Sequence, residues 1–224
     1  HKNRLGSYFA PLATFLDKTF LRSLDQRQVS NGLAEILKMA MIKDSELFEL
    51  LEQHGRELLK KKFQEDYISG QVIRKAVHGM LEELEANLWE HNLYRIVDFG
   101  HTFSPSVEMQ ALPALLHGEA VTLDMALSVM LAYGRDLLSS SERDRFLSVM
   151  QLLNLPITHP LCEAEFLYES LQDTVKHRDG LQRIPLPSSI GEARFFNDIT
   201  FEEIRKAIYA LRLWEAGKKL VAVA

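Results

Sequence analysis

Cysteine is almost missing from this chain: Cys162 is the only one in 224 residues. A lone thiol excludes an internal disulfide and a cysteine-built zinc finger, and it fits a reducing cytoplasm. There is no basic excess either. Lys+Arg number 26 against Asp+Glu 31, for a formal net charge of −5, which argues against a general nucleic-acid binder. No glycine-rich phosphate loop occurs, neither GxGxxG nor a Walker sequence, so a dinucleotide would need a binding domain upstream of His1. No apolar run reaches the ~20 residues that a bilayer-crossing helix needs. The most apolar stretch, Val107 to Leu131, is interrupted by His117, Glu119 and Asp124. Signal-peptide patterning and internal repeats are absent too. The first residues are His1-Lys2-Asn3, with no initiator Met, and the chain reads as the rear part of a longer protein.

What remains is ordinary globular composition, 46% hydrophobic and 25% charged, enough to bury a sizeable core in one domain or one and a fraction. Residues 1–29 read differently from the rest. Ala13-Thr14-Phe15-Leu16-Asp17 is strand-like, and Phe20-Leu21-Arg22-Ser23-Leu24 follows a polar turn. From Ser30 on, the spacing is helical. Ser30 or Asn31 suits a helix cap ahead of Leu33, Leu37, Ala40 and Met41. Leu47, Phe48, Leu50 and Leu51 continue the pattern, with Gly55 marking its end. Further helices are expected from Asp66 to Leu88, from His117 to just before Gly134, and from a Ser140 or Ser141 cap to just before Leu155-Pro156. Two more run from Cys162 to Val175 and from a Thr200 cap to about Trp214. Arg183-Ile184 and Ala193-Arg194-Phe195-Phe196 are candidate short strands. The expected fold is mainly α, with a small β-hairpin.

Four places could carry chemistry. In Glu35-Ile36-Leu37-Lys38 the spacing of three puts carboxylate and ammonium on one helical face. A surface ion pair is the plain interpretation, but Leu33, Ala34, Ile36, Leu37, Met39, Ala40 and Met41 leave little room for a solvated face. Asp98-Phe99-Gly100-His101-Thr102-Phe103-Ser104-Pro105 sets a histidine among small and aromatic residues at a helix start. Leu116-His117-Gly118-Glu119-Ala120-Val121 sets another at the head of an apolar helix. Glu35, His101 and His117 would make a two-His, one-carboxylate set that leaves a coordination position open and suits Zn²⁺. Spacing alone leaves open that either histidine is a satisfied core residue. In Val175-Lys176-His177-Arg178-Asp179-Gly180, cationic groups precede a glycine turn. They read either as helix-end charges offsetting the dipole or as an anion site, most naturally for phosphate.

In this order the motifs resemble the dehydroquinate synthase superfamily of sugar phosphate cyclases. The matching stretches are Lys2-Asn3-Arg4-Leu5-Gly6, Gly32-Leu33-Ala34-Glu35-Ile36-Leu37-Lys38, Phe99-Gly100-His101-Thr102-Phe103, His117-Gly118-Glu119-Ala120-Val121 and the Lys176 to Gly191 region. The resemblance implies a two-domain enzyme: an NAD-binding α/β domain, whose tail would be residues 1–29, and a helical metal- and substrate-binding C-terminal domain, residues 30–224. By position it implies Glu35, His101 and His117 as ligands of Zn²⁺ or Co²⁺, and Lys38 and Lys176 as basic substrate contacts. Lys2 and the turn Phe20, Leu21, Arg22 and Ser23 match positions that touch NAD. The departures narrow the reading. Dehydroquinate synthases have Asn at Asp98, a second histidine at Pro105, a substrate-binding lysine at Met80 and an arginine at Tyr94, with Arg95 one step away. Fewer cations and an added carboxylate suit a substrate without the seven-carbon acid's carboxylate, and Asp98 and Ser104-Pro105 resemble the sedoheptulose 7-phosphate cyclases. Within them Leu84, Asp98 and His177 resemble the 2-epi-5-epi-valiolone synthases.

The resemblance implies transient oxidation by NAD, elimination of phosphate, re-reduction and aldol closure of a seven-carbon cyclitol. Asp98 would accept hydrogen bonds from substrate hydroxyls, and His177 would position a hydroxyl or shuttle a proton. A cytoplasmic homodimer acting on a small sugar phosphate is expected, with no nucleic-acid or membrane partner, and the fragment alone is expected to be inactive. The alternatives are a desmethyl-4-deoxygadusol synthase, a 3-dehydroquinate synthase, and a non-catalytic helical module kept for dimerisation.

Overall fold

The computed structural model describes residues 9, 11–89 and 91–223, with side chains to residue 217. Among them are eight helices: α1 (Gln26–Lys43), α2 (Ser45–Lys61), α3 (Tyr67–Ala86), α4 (Ser104–Ala111), α5 (His117–Gly134), α6 (Ser140–Leu152), α7 (Ala164–Lys176) and α8 (Phe201–Val223). One antiparallel hairpin, β1 (Ile184–Ser189) and β2 (Glu192–Phe196), joins α7 to α8. No helix of the described residues is long and apolar enough to cross a membrane.

The most apolar stretch of the sequence becomes the centre of the fold. From Gly118 to Ala132 every residue of α5 is buried, as expected of a helix apolar on all faces. Helices α1, α4, α6 and α8 and strand β1 pack around it. Phe48, Phe99, Phe103 and Phe146 are fully buried, and each contributes about 2–3 kcal/mol by leaving water. The polar groups inside α5 are satisfied locally. Glu119 accepts the Leu116 N–H at 2.8 Å and the Arg27 fork, Nε on Oε1 and Nη2 on Oε2, both at 2.6 Å. The first four N–H groups of a helix lack an internal partner by geometry, so a carboxylate there caps the helix start.

Several boundaries differ from expectation. α1 starts at Gln26, because Asp25 accepts the Gln28 N–H at 2.9 Å and caps the helix ahead of either Ser30 or Asn31. Asn31 is thereby left inside the helix, free for another task. Gly55 does not end α2; it faces Leu153 where α2 meets α6, where the absence of a Cβ permits close packing. Ala13–Asp17 forms no strand, having no strand partner among the described residues. Phe20–Ser23 lies in a short 3-10 turn, Lys18–Ser23, capped by Asp17 and anchored on α3 through Lys18, whose ammonium meets Asp66 at 2.9 Å. α4 begins at the helix start expected after His101 and runs for only eight residues.

Candidate metal centre

Three elements meet at one point. Glu35 projects from the middle of α1, His101 sits in the turn before α4, and His117 is the first residue of α5. One ligand atom from each lies within 4.8 Å of the others. The two imidazole rings are 5.4 Å apart between centroids.

Local sequence explains the convergence. Gly118 follows His117, and a Cβ there would lie 2.1 Å from the backbone oxygen of Asn31. Glycine therefore lets α5 approach α1 one turn before Glu35, and the Asn31 side-chain oxygen accepts the Gly118 N–H at 2.5 Å. The His101 turn is fixed from below. Gly100 has φ +77°, open to glycine, and a Cβ would come within 2.8 Å of Met125 and 2.9 Å of Val121. Buried Asp124 on α5 accepts the N–H groups of Phe103 at 2.5 Å and Ser104 at 2.9 Å. Thr174 of α7 donates to Thr102 O at 2.8 Å.

Each candidate ligand has its far side held. Lys38 is buried, with Nζ 2.7 Å from Glu35 Oε2. His117 Nδ1 lies 2.8 Å from Glu108 Oε2, and His101 Nδ1 lies 3.3 Å from Phe99 O. Both Nδ1 atoms face acceptors, so this network assigns the protons to Nδ1 and leaves the Nε2 lone pairs pointing inward. There they meet Glu35 Oε1, at 3.2 Å from His117 and 3.8 Å from His101. Glu35 Oε1 is buried, and no donor is aligned on it. Two imidazole nitrogens and a carboxylate oxygen converging in this way are the donor set of a divalent cation. Burial would raise the Glu35 carboxyl, but the His117 and His101 rings, when protonated, and the Lys38 charge outweigh it and hold it at about 2. Burial and then the Lys38 charge push the His101 imidazole below its usual value, which favours the neutral ring that a metal binds.

Two clefts adjoin the centre. His101 lines one with Arg95, Asp98, Thr174, His177 and Arg178. There Asp98 is buried between two guanidinium groups, Arg95 at 2.7 Å on Oδ1 and Arg178 at 3.2 Å on Oδ2. Arg183 and Tyr94, one residue from Arg95, stack at 5.1 Å, and Tyr94 meets Phe195 edge-on, so the hairpin braces this wall. Glu35 lines the other, apolar cleft with Leu16, Ile36, Met39, Ile73 and Met80.

The structure thus brings together Glu35, Lys38, His101 and His117, and sets Asp98 and His177 beside them. Lys176 is solvent-exposed and paired with Asp173 at 2.6 Å, a residue that lines the polar cleft. Phe20, Arg22 and Ser23 are exposed, Leu21 packs partly against the core, and Lys2 lies outside the described residues. Sequence reasoning missed Glu108, Arg95 as a partner of Asp98, Asp124, and the Asn31–Gly118 contact. No motif marks the first three. The His117-Gly118 pair carried the only visible signal, a glycine in the first turn of an apolar helix.

The family described as 3-dehydroquinate synthase C-terminal matches residues 32–177. The chain is 55% identical over 223 residues to a 2-epi-5-epi-valiolone synthase of Actinomyces sp., covering 97% of this chain and 58% of that protein. It is 57% identical over 212 residues to a 2-epi-5-epi-valiolone synthase of Actinoplanes sp. strain SE50/110, covering 92% and 53%. Among solved structures it superposes with a TM-score of 0.91 and 57% identity on ValA, the 2-epi-5-epi-valiolone synthase of Streptomyces hygroscopicus subsp. jinggangensis 5008 with NAD+ and Zn2+ bound, covering 95% of this chain and 59% of that one. The chain spans somewhat more than half the length of these relatives. With the helical fold in place and the family match running across most of its length, the chain belongs to the 3-dehydroquinate synthase C-terminal family.

Proposed function

We propose that this chain is the helical half of a sugar phosphate cyclase that converts sedoheptulose 7-phosphate to 2-epi-5-epi-valiolone with release of inorganic phosphate. Residues 1–29 are, in this reading, the end of the NAD-binding α/β domain that completes the enzyme. The supporting observation is the inward convergence of Glu35 Oε1 and the Nε2 atoms of His101 and His117. Its likeness to 2-epi-5-epi-valiolone synthases, at 55% and 57% identity, supports the choice of substrate and product.

Glu35, His101 and His117 would hold the ion, and Zn²⁺ or Co²⁺ bound there supplies a Lewis acid that acidifies sugar hydroxyls. NAD supplies a reversible hydride acceptor, so the conversion involves no net oxidation. In this reading the turn of Phe20, Leu21, Arg22 and Ser23, with Leu21 packed partly against the core, would contact it.

The chain's own side chains do the rest. Lys38 fixes the Glu35 carboxylate and brings a positive charge to the edge of the centre. Arg95 and Arg178 make the polar cleft attractive to phosphate and to a developing enolate oxygen. Lys176, paired with Asp173 of that cleft, would be the second basic contact. Asp98 accepts one guanidinium on each oxygen and keeps further lone pairs for sugar hydroxyls. His177, at the end of α7 in the same cleft, moves a proton at a substrate hydroxyl. Met80, where the family carries a lysine, lines the apolar cleft beside Glu35, so a substrate carboxylate has no cation there to meet.

The test is turnover by the full-length protein with NAD and Zn²⁺. Phosphate release from sedoheptulose 7-phosphate, with 2-epi-5-epi-valiolone as the product by NMR, is the expected result. Release from the dehydroquinate precursor alone, demethyl-4-deoxygadusol as the product, or no turnover of either sugar would overturn the assignment.

A further inference from the structure

We infer that Glu108 is a positioning residue of the metal centre, holding the His117 ring so that Nε2 faces Glu35 and His101. The inference rests on the metal-binding reading above. Glu108 lies on the second turn of α4, seven residues after His101, with its side chain 15% exposed. Its Oε2 meets His117 Nδ1 at 2.8 Å. That nitrogen is on the far side of the ring from Glu35, so Glu108 cannot share an ion with the inward set. What it can do is fix the tautomer and the ring angle. A carboxylate accepting Nδ1–H keeps the proton off Nε2 and makes that nitrogen a better donor to a metal.

The placement is economical. α4 starts three residues after His101 and packs along α5, whose first residue is His117. One short helix therefore couples both histidines: its N-terminal end continues the His101 turn, and Glu108 reaches the His117 ring. The other two candidate ligands are held by groups of different kinds, Glu35 by an ammonium and His101 by a backbone carbonyl. Of the two histidine holders, Glu108 is the one a substitution can remove.

The experiment uses full-length protein stripped of metal, with Co²⁺ as the probe. Glu108→Ala should weaken Co²⁺ binding, read from its visible absorption, by about 10- to 100-fold. Long-range ¹H–¹⁵N spectra of the metal-free protein should show His117 moving from the Nδ1–H towards the Nε2–H tautomer. Glu108→Gln, which keeps an acceptor oxygen at the same reach, should restore most of the affinity and the tautomer; it also carries the test if the alanine variant does not fold. Unchanged affinity and tautomer in Glu108→Ala would overturn the inference while leaving the metal reading intact. So would a Gln variant in which the Nδ1–H tautomer is kept and Co²⁺ binding is as weak as in the Ala variant. If the unsubstituted protein binds no Co²⁺, or Glu35→Gln binds it equally well, the metal reading itself fails.

Discussion

The corner where α1, α4 and α5 meet and the stretch from residue 11 to 24 are built to opposite standards. In the corner, each inward ligand atom belongs to a side chain whose other end is engaged, and the supporting residues Lys38, Asp124 and Phe103 are buried. In the N-terminal stretch Leu12, Phe15, Leu16 and Phe20 are all exposed, and regular structure is limited to one 3-10 turn. The contrast separates two properties. The candidate metal centre is organised by the packed core, whereas the stretch from 11 to 24 leaves most of its apolar side chains uncovered. Substitutions should respect that division.

The largest effect is expected where two helices touch. Gly118→Ala pushes a methyl against the Asn31 carbonyl, 2.1 Å from the ideal Cβ position, and α1 and α5 must separate. Overpacking of this kind costs about 3 kcal/mol, so a denaturation midpoint should drop sharply and metal binding should fall with it. An unchanged midpoint would show that the close approach does not hold the corner together.

A pH effect comes next. Burial pushes the Asp124 carboxyl up from 3.8 to about 6, against the N–H groups of Ser104, Phe103 and Thr102 that pull it down. The folded state then binds more protons than the unfolded one between those values. Its contribution is fully present below about pH 4 and is lost as pH rises through 6, by about 3 kcal/mol at most. Asp124→Asn should remove that decline, measured as the difference between the two proteins' stability–pH curves from 4 to 7. Parallel curves would contradict it.

The smallest effect belongs to the exposed stretch. Phe15→Ser should change the stability of this chain by less than about 0.5 kcal/mol and leave metal affinity untouched. A loss of several kcal/mol would mean that the stretch is part of the same packed unit after all.

The division also decides what was legible beforehand. Helices α5, α6 and α7 were read from an apolar run, a serine cap and apolar spacing respectively, and the expected spans differ from the observed ones by only a few residues. The three candidate ligands were reached through a family pattern, since His101 and His117 are ordinary residues when taken singly. The start of α1 was misplaced because Asp25 and Ser30 are both competent caps, and the difference rests on which one reaches an amide. Glu108 was invisible because its task depends on the angle between α4 and α5, which no residue spacing records. Asp98 presented itself as an added carboxylate in a depleted site; the fold returns two arginines to it, one on each carboxylate oxygen.

The most direct test is stoichiometric. Purified protein loaded with Zn²⁺, dialysed and analysed by mass spectrometry for bound metal should retain about one equivalent per chain, by the one-ion, three-ligand geometry of such sites. The variant carrying Glu35→Gln, His101→Ala and His117→Ala together should retain none while keeping its helical circular dichroism. Equal metal in the two proteins would contradict the account at its centre.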